Sequence, residues 1–381
     1  MKFEFAHHII DTELPGGCCY AQVAVADLDG DGRVEFVVGQ QYGSIYWYKY
    51  RAPDDWSRYL LGEDSPSDVG GCALDVDGNG HIDFVAGGAW YRNSQEEGKP
   101  FERIVFDAEL RGAHDVVAAD IDGDGRMEII TMSDQNSLRW YRIPDDPTQP
   151  WPRVDIGAPV HAGVAVGDID GDGDIDIVRT DVWFENVDGD GTRWIEHAIG
   201  PNTPPPPDFQ PSFAFDATKA FVCDMNGNGR NDVVFTDAEI PGGKVWWMEN
   251  ANGEGTAWRR HDIAGGFSDV DGQKVRRGAY HSLAVGDLDG DGDFDVLSCE
   301  MEAVGGEGDP RWYIWENVDG KGDEWVEHPI LDINLGGHEA VIGDFTGNGL
   351  PDIVSKPWRP QKKNAVGGKM YVVFLENIST E

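Results

Sequence analysis

Seven times along the chain an aspartate opens a nine-residue run that is dense in carboxylates and glycines. The starts are Asp27 (DLDGDGRVE), Asp75 (DVDGNGHID), Asp120 (DIDGDGRME), Asp168 (DIDGDGDID), Asp224 (DMNGNGRND), Asp287 (DLDGDGDFD) and Asp344 (DFTGNGLPD). Oxygen side chains at positions 1, 3 and 5, glycines at 4 and 6, and an acid at 9 make a tight loop suited to a hard cation. Ca2+ takes six to eight oxygens in such an alternating pattern. The candidate ligands are Asp27, Asp29, Asp31 and Glu35; Asp75, Asp77, Asn79 and Asp83; Asp120, Asp122, Asp124 and Glu128; Asp168, Asp170, Asp172 and Asp176. The later copies add Asp224, Asn226, Asn228 and Asp232; Asp287, Asp289, Asp291 and Asp295; Asp344, Asn348 and Asp352. The seven runs hold 25 acids, whose mutual repulsion would raise their pKa values without cations. Up to seven structural Ca2+ ions are expected, with the amide-containing fifth and seventh copies the weakest.

A second constellation lies upstream of these runs. His114, His281 and His338 each stand six residues before a motif aspartate, His161 seven before and Lys219 five before. Such a cluster supplies a base, an acid and a charge sink for a reaction on an anionic or carbonyl-bearing substrate. We expect His114 or His281 as base, Tyr280 or His338 as acid, and Arg277 as charge sink. Arg276, Lys219, His161, Arg111, Trp90, Arg92, Arg179, Trp358 and Arg359 are expected to bind substrate. The same histidines could instead form a satisfied polar ring, or hold an additional divalent metal in a central channel with a carboxylate such as Glu339. His8, His197, His261 and His328 share one repeated position and are expected to pack on a strand surface.

The elements that must position these residues follow from the spacing. The motif starts are separated by 48, 45, 48, 56, 63 and 57 residues. Each run is preceded and followed by a short apolar stretch, so it is a turn between strands A and B of a hairpin. An aromatic strand follows (SIYWYKY, AWYRN, SLRWYRI, VWFEN, KVWWMEN, YIWEN, YVVFLEN), then a fourth in six units (for example WIEHAI and WVEHPI). The seventh unit lacks its fourth strand, while FEFAHHII at the N-terminus has the same pattern. These features predict an all-β, single-domain, seven-bladed β-propeller over 1–381, its ring closed by the N-terminal strand joining the last blade. A calcium-binding β-helix has a much shorter period. The Pro-rich 201–211 and Gly-rich 264–278 are expected to be loops between blades.

With four strands per unit, the metal turns share one face with the C–D turns. The D–A and B–C connections occupy the other, irregular face, where function is expected.

These repeats resemble the calcium loops of FG-GAP or VCBS-type propellers, over essentially the whole chain. Single-domain propellers of this style resemble carbon–oxygen lyases acting on sugars: ulvan and rhamnose–glucuronate lyases and the propeller part of aldos-2-ulose dehydratase. That resemblance implies β-elimination on a uronate-containing polysaccharide or keto-sugar. It carries over no catalytic residue, because only the repeat matches. Integrin-like adhesion propellers and carbohydrate-binding propellers offer a non-catalytic alternative. The single-propeller length and the His/Arg-rich face favour the enzyme.

Composition bounds the rest. A 40% apolar content supplies a core despite 26% charged residues. A net charge of −40 argues against nucleic acid as partner, since phosphate binding needs clustered Lys and Arg. No stretch reaches the roughly 20 apolar residues of a membrane span. No N-terminal signal pattern is visible, yet calcium turns suit a secreted or periplasmic protein, and export with leader removal is the expectation. The five cysteines (Cys18, Cys19, Cys72, Cys223, Cys299) show no zinc spacing and are expected to be reduced.

Overall fold

The computed structural model describes residues 3–200, 218–270, 273–302 and 310–379. Seven antiparallel four-stranded sheets make a seven-bladed β-propeller, with no helix among the described residues. The fourth blade shows the plan: strand A Val164–Gly167, B Asp176–Arg179, C Val182–Asn186 and D Trp194–Ala198, hydrogen-bonded in that order. In the seventh blade strands A to C are His338–Gly343, Asp352–Lys356 and Val372–Asn377, and strand D is the N-terminal Phe5–Asp11. Phe5 pairs with Asn377 and His8 with Phe374, so the ring closes as the sequence pattern requires. Closure leaves no unpaired end blade.

Strand periodicity builds the core. Successive strand-B residues point to opposite faces, so each blade feeds two different inter-blade clusters. Ile177 packs with Ile130 and Trp140 of blade three, whereas Val178 packs with Val233 and Trp246 of blade five. The same split places Phe84 and Val85, or Val296 and Leu297, in separate clusters. Among the described residues there are seven clusters for seven interfaces, each centred on strand-C aromatics.

Hydrogen bonds join blade to blade. Asn250, at the end of strand C in blade five, donates to Ile169 O of blade four at 2.7 Å. Asn93 (to Leu28 O), Asn186 (to Ile121 O) and Asn317 (to Met225 O) repeat the contact. In the other direction the indoles of Trp140, Trp183 and Trp247 donate to Gly191, Gly255 and Gly322 of the following blade.

Residues 264–278 depart from the loop expectation. Phe267–Val270 pairs with Gln273–Arg276 as a hairpin, Phe267 opposite Arg276. The Pro-rich 201–211 lies outside the described residues. The cysteines also differ from expectation: Cys18 and Cys19 are joined as a vicinal disulfide, with Cys19 at φ 66°, while Cys72, Cys223 and Cys299 are free thiols. Adjacency in the chain is what lets two residues bridge without any partner elsewhere.

Candidate functional site

The A–B turns have one local design. In blade four the Asp168 carboxylate accepts the amides of Gly171 (2.7 Å) and Gly173 (3.1 Å), both glycines having positive φ. Asp176 is buried and accepts the amides of Ile169 and Asn186, both at 2.9 Å. Carboxylate oxygens of positions 1, 3 and 9 lie within 4.8 Å of one another in blades one to four: Asp27, Asp29 and Glu35; Asp75, Asp77 and Asp83; Asp120, Asp122 and Glu128; Asp168, Asp170 and Asp176. Buried Asp77 Oδ1, Asp120 Oδ1 and Asn226 Oδ1 have no hydrogen-bond partner, which fits a set of oxygens arranged for a hard cation. Burial pushes the ninth-position carboxyls up, to about 8 for Glu35 and about 7 for Glu128, Asp176, Asp232 and Asp295.

Sequence reading missed a division among the turns. In blades one to three a strand-C cation reaches the third-position acid: Lys49 to Asp29 and, at 2.7 Å, to Asp31; Arg92 to Asp77 at 3.1 Å; Arg142 to Asp122. Blades four to seven carry a glutamate at that place, facing the repeated strand-D histidine: Glu185–His197 (2.6 Å), Glu249–His261 (2.9 Å), Glu316–His328 (2.7 Å) and Glu376–His8 (3.5 Å). His197 and His261 also stack on Trp183 and Trp247, as surface packing requires.

On the opposite face, residues from blades three to seven converge. His161 Nδ1 lies 3.6 Å from Asp134 and its Nε2 3.3 Å from Glu239. His281 stands between two carboxylates, Nε2 3.6 Å from Glu239 and Nδ1 3.5 Å from Glu339. Lys219 Nζ pairs with Glu339 at 2.5 Å. His338 stacks on His281 at 3.7 Å, with Trp358 5.2 Å away on the same histidine. His114 packs on His161 at 4.0 Å and bonds Ala162 O at 3.0 Å. Lys356, which sequence reading missed, is buried at the end of strand B in blade seven and contacts His338 O, Ala21 O (3.1 Å) and His338 Nδ1 (3.4 Å).

The environments drive these groups apart. Burial holds His114 and His338 well below the usual histidine range, aided by neighbouring cations. Burial opposes charge on His161 too, but Asp134 and Glu239 outweigh it and lift His161 to about 9. Burial lowers Lys356 to about 7. Glu239 resists burial and stays well below the carboxylate range because His161 and His281 face it. Burial opposes the charge on Glu339, but Lys219 lowers its pKa, and the residue adopts a left-handed backbone at φ 62°. Strain of that kind in a non-glycine residue persists where surroundings over-determine it, and clusters at functional sites.

Only part of the cluster meets solvent. The side chains of His161, Glu239 and Glu339 are 15%, 16% and 16% exposed, whereas those of His281 and Lys219 are 1% and 9% exposed. His281, His338 and Glu339 place ligand atoms within 4.8 Å of one another, as the expected channel metal would need. Lys219 already pairs with Glu339 and Lys356 stands against His338 Nδ1, so a divalent ion would have to displace both side chains from its own ligands. The donor set does not fit such an ion, and no step is routed through one.

The remaining expected residues fall elsewhere. Tyr280 is core, edge-on to Trp315 at 5.5 Å. Arg277 is buried with its Nη1 3.6 Å from Glu300 Oε2, and Arg276 is half-buried beside Gly242. Trp90 is fully buried between blades two and three, its indole donating to Pro147 O. Arg92 lies on the metal-turn face, because the B–C turn is at Gly87–Gly88 and Arg92 closes the short strand C, Ala89–Arg92. Arg179 is buried, 5.5 Å over Phe184. Arg359 is exposed and its amide donates to Glu302. Arg111 is exposed on the irregular face, its guanidinium bonded to Ala108 O and Leu110 O.

Comparison with known proteins agrees with this architecture. A family model described as FG-GAP-like repeat matches residues 27–86, 75–131 and 224–298. The chain carries FG-GAP-like repeats and is a seven-bladed β-propeller. Among solved structures it is similar to BBS1N in complex with ARL6DN, in a lead-soaked crystal, at 10% identity over 99% of this chain and 98% of that one, TM-score 0.55. The mercury-soaked crystal of that complex gives 11% identity, coverage of 100% and 98%, and TM-score 0.54. The rhamnogalacturonan lyase YesW gives 13% identity, coverage of 98% and 75%, and TM-score 0.45. No curated protein matches the chain.

Proposed function

We propose that the protein is a carbon–oxygen lyase that acts by β-elimination on a uronate-containing oligo- or polysaccharide or a keto-sugar, with Ca2+ in the A–B turns stabilising the blades. The observation that carries this reading is the continuous contact chain Asp134–His161–Glu239–His281–Glu339–Lys219, drawn from blades that are remote in sequence. Elimination needs a base for the proton α to the carboxylate or ketone, a charge sink for the enolate, and an acid for the leaving oxygen.

His281, whose Nδ1 makes no hydrogen bond and so keeps a lone pair for the proton while Glu239 stands 3.6 Å from its Nε2, is the base. His161, kept protonated by Asp134 and Glu239, is the acid at the solvent side. Lys219, whose charge Glu339 and Asp115 sustain against burial, takes the role first expected of Arg277. His161 lifted by its carboxylates beside His114 and His338 held low by burial is the pattern of groups pushed apart that acid–base catalysis uses.

The test is a screen of uronate polysaccharides and keto-sugars for the ultraviolet absorbance of an unsaturated product, with wild type, His281→Ala, His161→Gln and Lys219→Met. Product formed equally by all four proteins overturns the assignment of the site. The second reading is a non-catalytic module that binds carbohydrate or protein through the same face. BBS1N, similar in fold, is held in a complex with ARL6DN. Ligand retention without turnover across the whole screen favours that reading.

A further inference from the structure

Beside the histidine cluster the irregular face opens into a cleft with a volume of about 410 Å3, bounded by Tyr42, Ser65, Pro66, Arg103, Val105 and Arg111, with Asp64 and Asp107 also on its wall. That volume is within the range of small-ligand pockets. Tyr42 belongs to the B–C turn of blade one and leaves 48% of its surface exposed, with a left-handed backbone at φ 48°. An exposed aromatic ring held in a costly conformation is a platform without an evident packing role.

The two arginines differ from most others of this acidic chain. Arg58, Arg92, Arg139, Arg142, Arg153, Arg193, Arg259 and Arg311 all pair with carboxylates. Arg111 instead donates to the carbonyls of Ala108 (2.7 Å) and Leu110 (2.9 Å), and Arg103 to Asp64 O (2.9 Å). Among the described residues no salt bridge joins either to a carboxylate. Of the two acids on the wall, Asp107 is engaged by Arg153 (2.7 Å) and Tyr141 (2.8 Å), and Asp64 stands at φ 54° with its backbone carbonyl on Arg103. The cleft adjoins the catalytic cluster: Arg111 O accepts from Ser133 Oγ at 2.6 Å, and the next residue, Gly112, accepts the amide of Asp134, the partner of His161.

We propose that this cleft is a subsite for an acidic pyranose: the sugar's apolar face lies on Tyr42, its carboxylate meets the Arg111 and Arg103 guanidinium groups, and its hydroxyls donate to Asp64. The proposal deepens the lyase reading and rests on it for the identity of the polymer, but not for binding. Guanidinium groups match carboxylates through paired N–H donors, and an arginine already tethered by carbonyls loses less freedom on binding.

The experiment measures binding calorimetrically with pentamers of galacturonate, glucuronate-containing glycosaminoglycan and alginate, and with a neutral galactan pentamer, against wild type, Tyr42→Ala and Arg111→Gln. At least one acidic pentamer should bind, and each variant should weaken it by about tenfold or more with an unchanged melting temperature. The galactan should bind equally weakly to wild type and Arg111→Gln. No acidic pentamer binding, or equal affinity in the variants, overturns the subsite. Variant-sensitive binding without any unsaturated product overturns the lyase reading and leaves the subsite standing. Turnover with KM unchanged in both variants does the reverse.

Discussion

Removing the guanidinium of Arg277 should damage the fold and not the chemistry. Its side chain is 3% exposed and that of Glu300 1%, with Nη1 and Oε2 3.6 Å apart. Taking away one partner of a buried pair leaves an uncompensated charge, which costs about 3–5 kcal/mol. An unfolding entropy of about 2.1 cal/mol/K per residue makes roughly 0.8 kcal/mol/K for a chain of this length, so Arg277→Met should lose about 4–6 °C of melting temperature. The loss should depend on pH. Burial raises Glu300 to about 7 even with Arg277 beside it. A carboxyl whose folded pKa exceeds its unfolded value contributes stability that is complete below the unfolded pKa and is lost as pH rises through the folded pKa. The deficit of Arg277→Met should therefore be small at pH 5, where Glu300 can take up a proton, and full at pH 8. Arg277→Met/Glu300→Gln should recover most of it at pH 8. Thermal melts by circular dichroism at both pH values measure this. Loss of turnover with an unchanged melt would refute the reasoning and return Arg277 to the reacting centre.

Three further outcomes are expected. Asn250→Ala, which strands Ile169 O and two C–D turn amides, should cost about 1–3 kcal/mol in denaturant unfolding with no effect on ligand affinity. Chelation should lower the melting temperature and Ca2+ restore it, each site at 100 times its Kd adding about 2.7 kcal/mol; an unchanged melt with chelator would remove the metal from the turns. His161 lies near 9 and acts as acid, so kcat/KM should fall as pH rises through about 9, and that limb should vanish in His161→Gln.

The repeat was legible because each blade writes its turn locally: the glycines at 171 and 173 take positive φ, and the acids at 168 and 176 cap amides within the same hairpin. Ring closure was legible for the same reason, since Phe5–Asp11 has the strand-D pattern that the last unit lacks. Histidine spacing led to the cluster because strand A starts at a fixed distance from the turn. Lys356 and Asp134 were not legible. Each lies at or just beyond the far end of a strand B, after a serine that ends the apolar run, where there is no repeat to compare. Arg92 was misplaced by register: aligned with Arg142 and Lys49 it belongs with the strand-C cations of the metal face. Tyr42 and the Cys18–Cys19 bridge depend on single-residue backbone geometry, for which the repeat has no template.

Charge arrangement, finally, constrains how an anionic sugar could reach this site. At −40 the whole chain repels an anionic polymer, and the solvent-facing layer of the cluster, apart from His161, is the carboxylates Asp134, Glu239 and Glu339. Lys219 and Lys356 lie beneath that layer, too deep to attract a ligand before it docks. Screening over about 8 Å at physiological ionic strength removes the long-range repulsion while leaving contacts at the cleft intact. Arg103 and Arg111 are then exposed cations, along with Arg359 beside Trp358, that can hold a carboxylate next to the cluster. Association of an acidic oligomer should accordingly quicken as salt rises from low to physiological levels, the opposite of a site that recruits its ligand by a field of opposite sign.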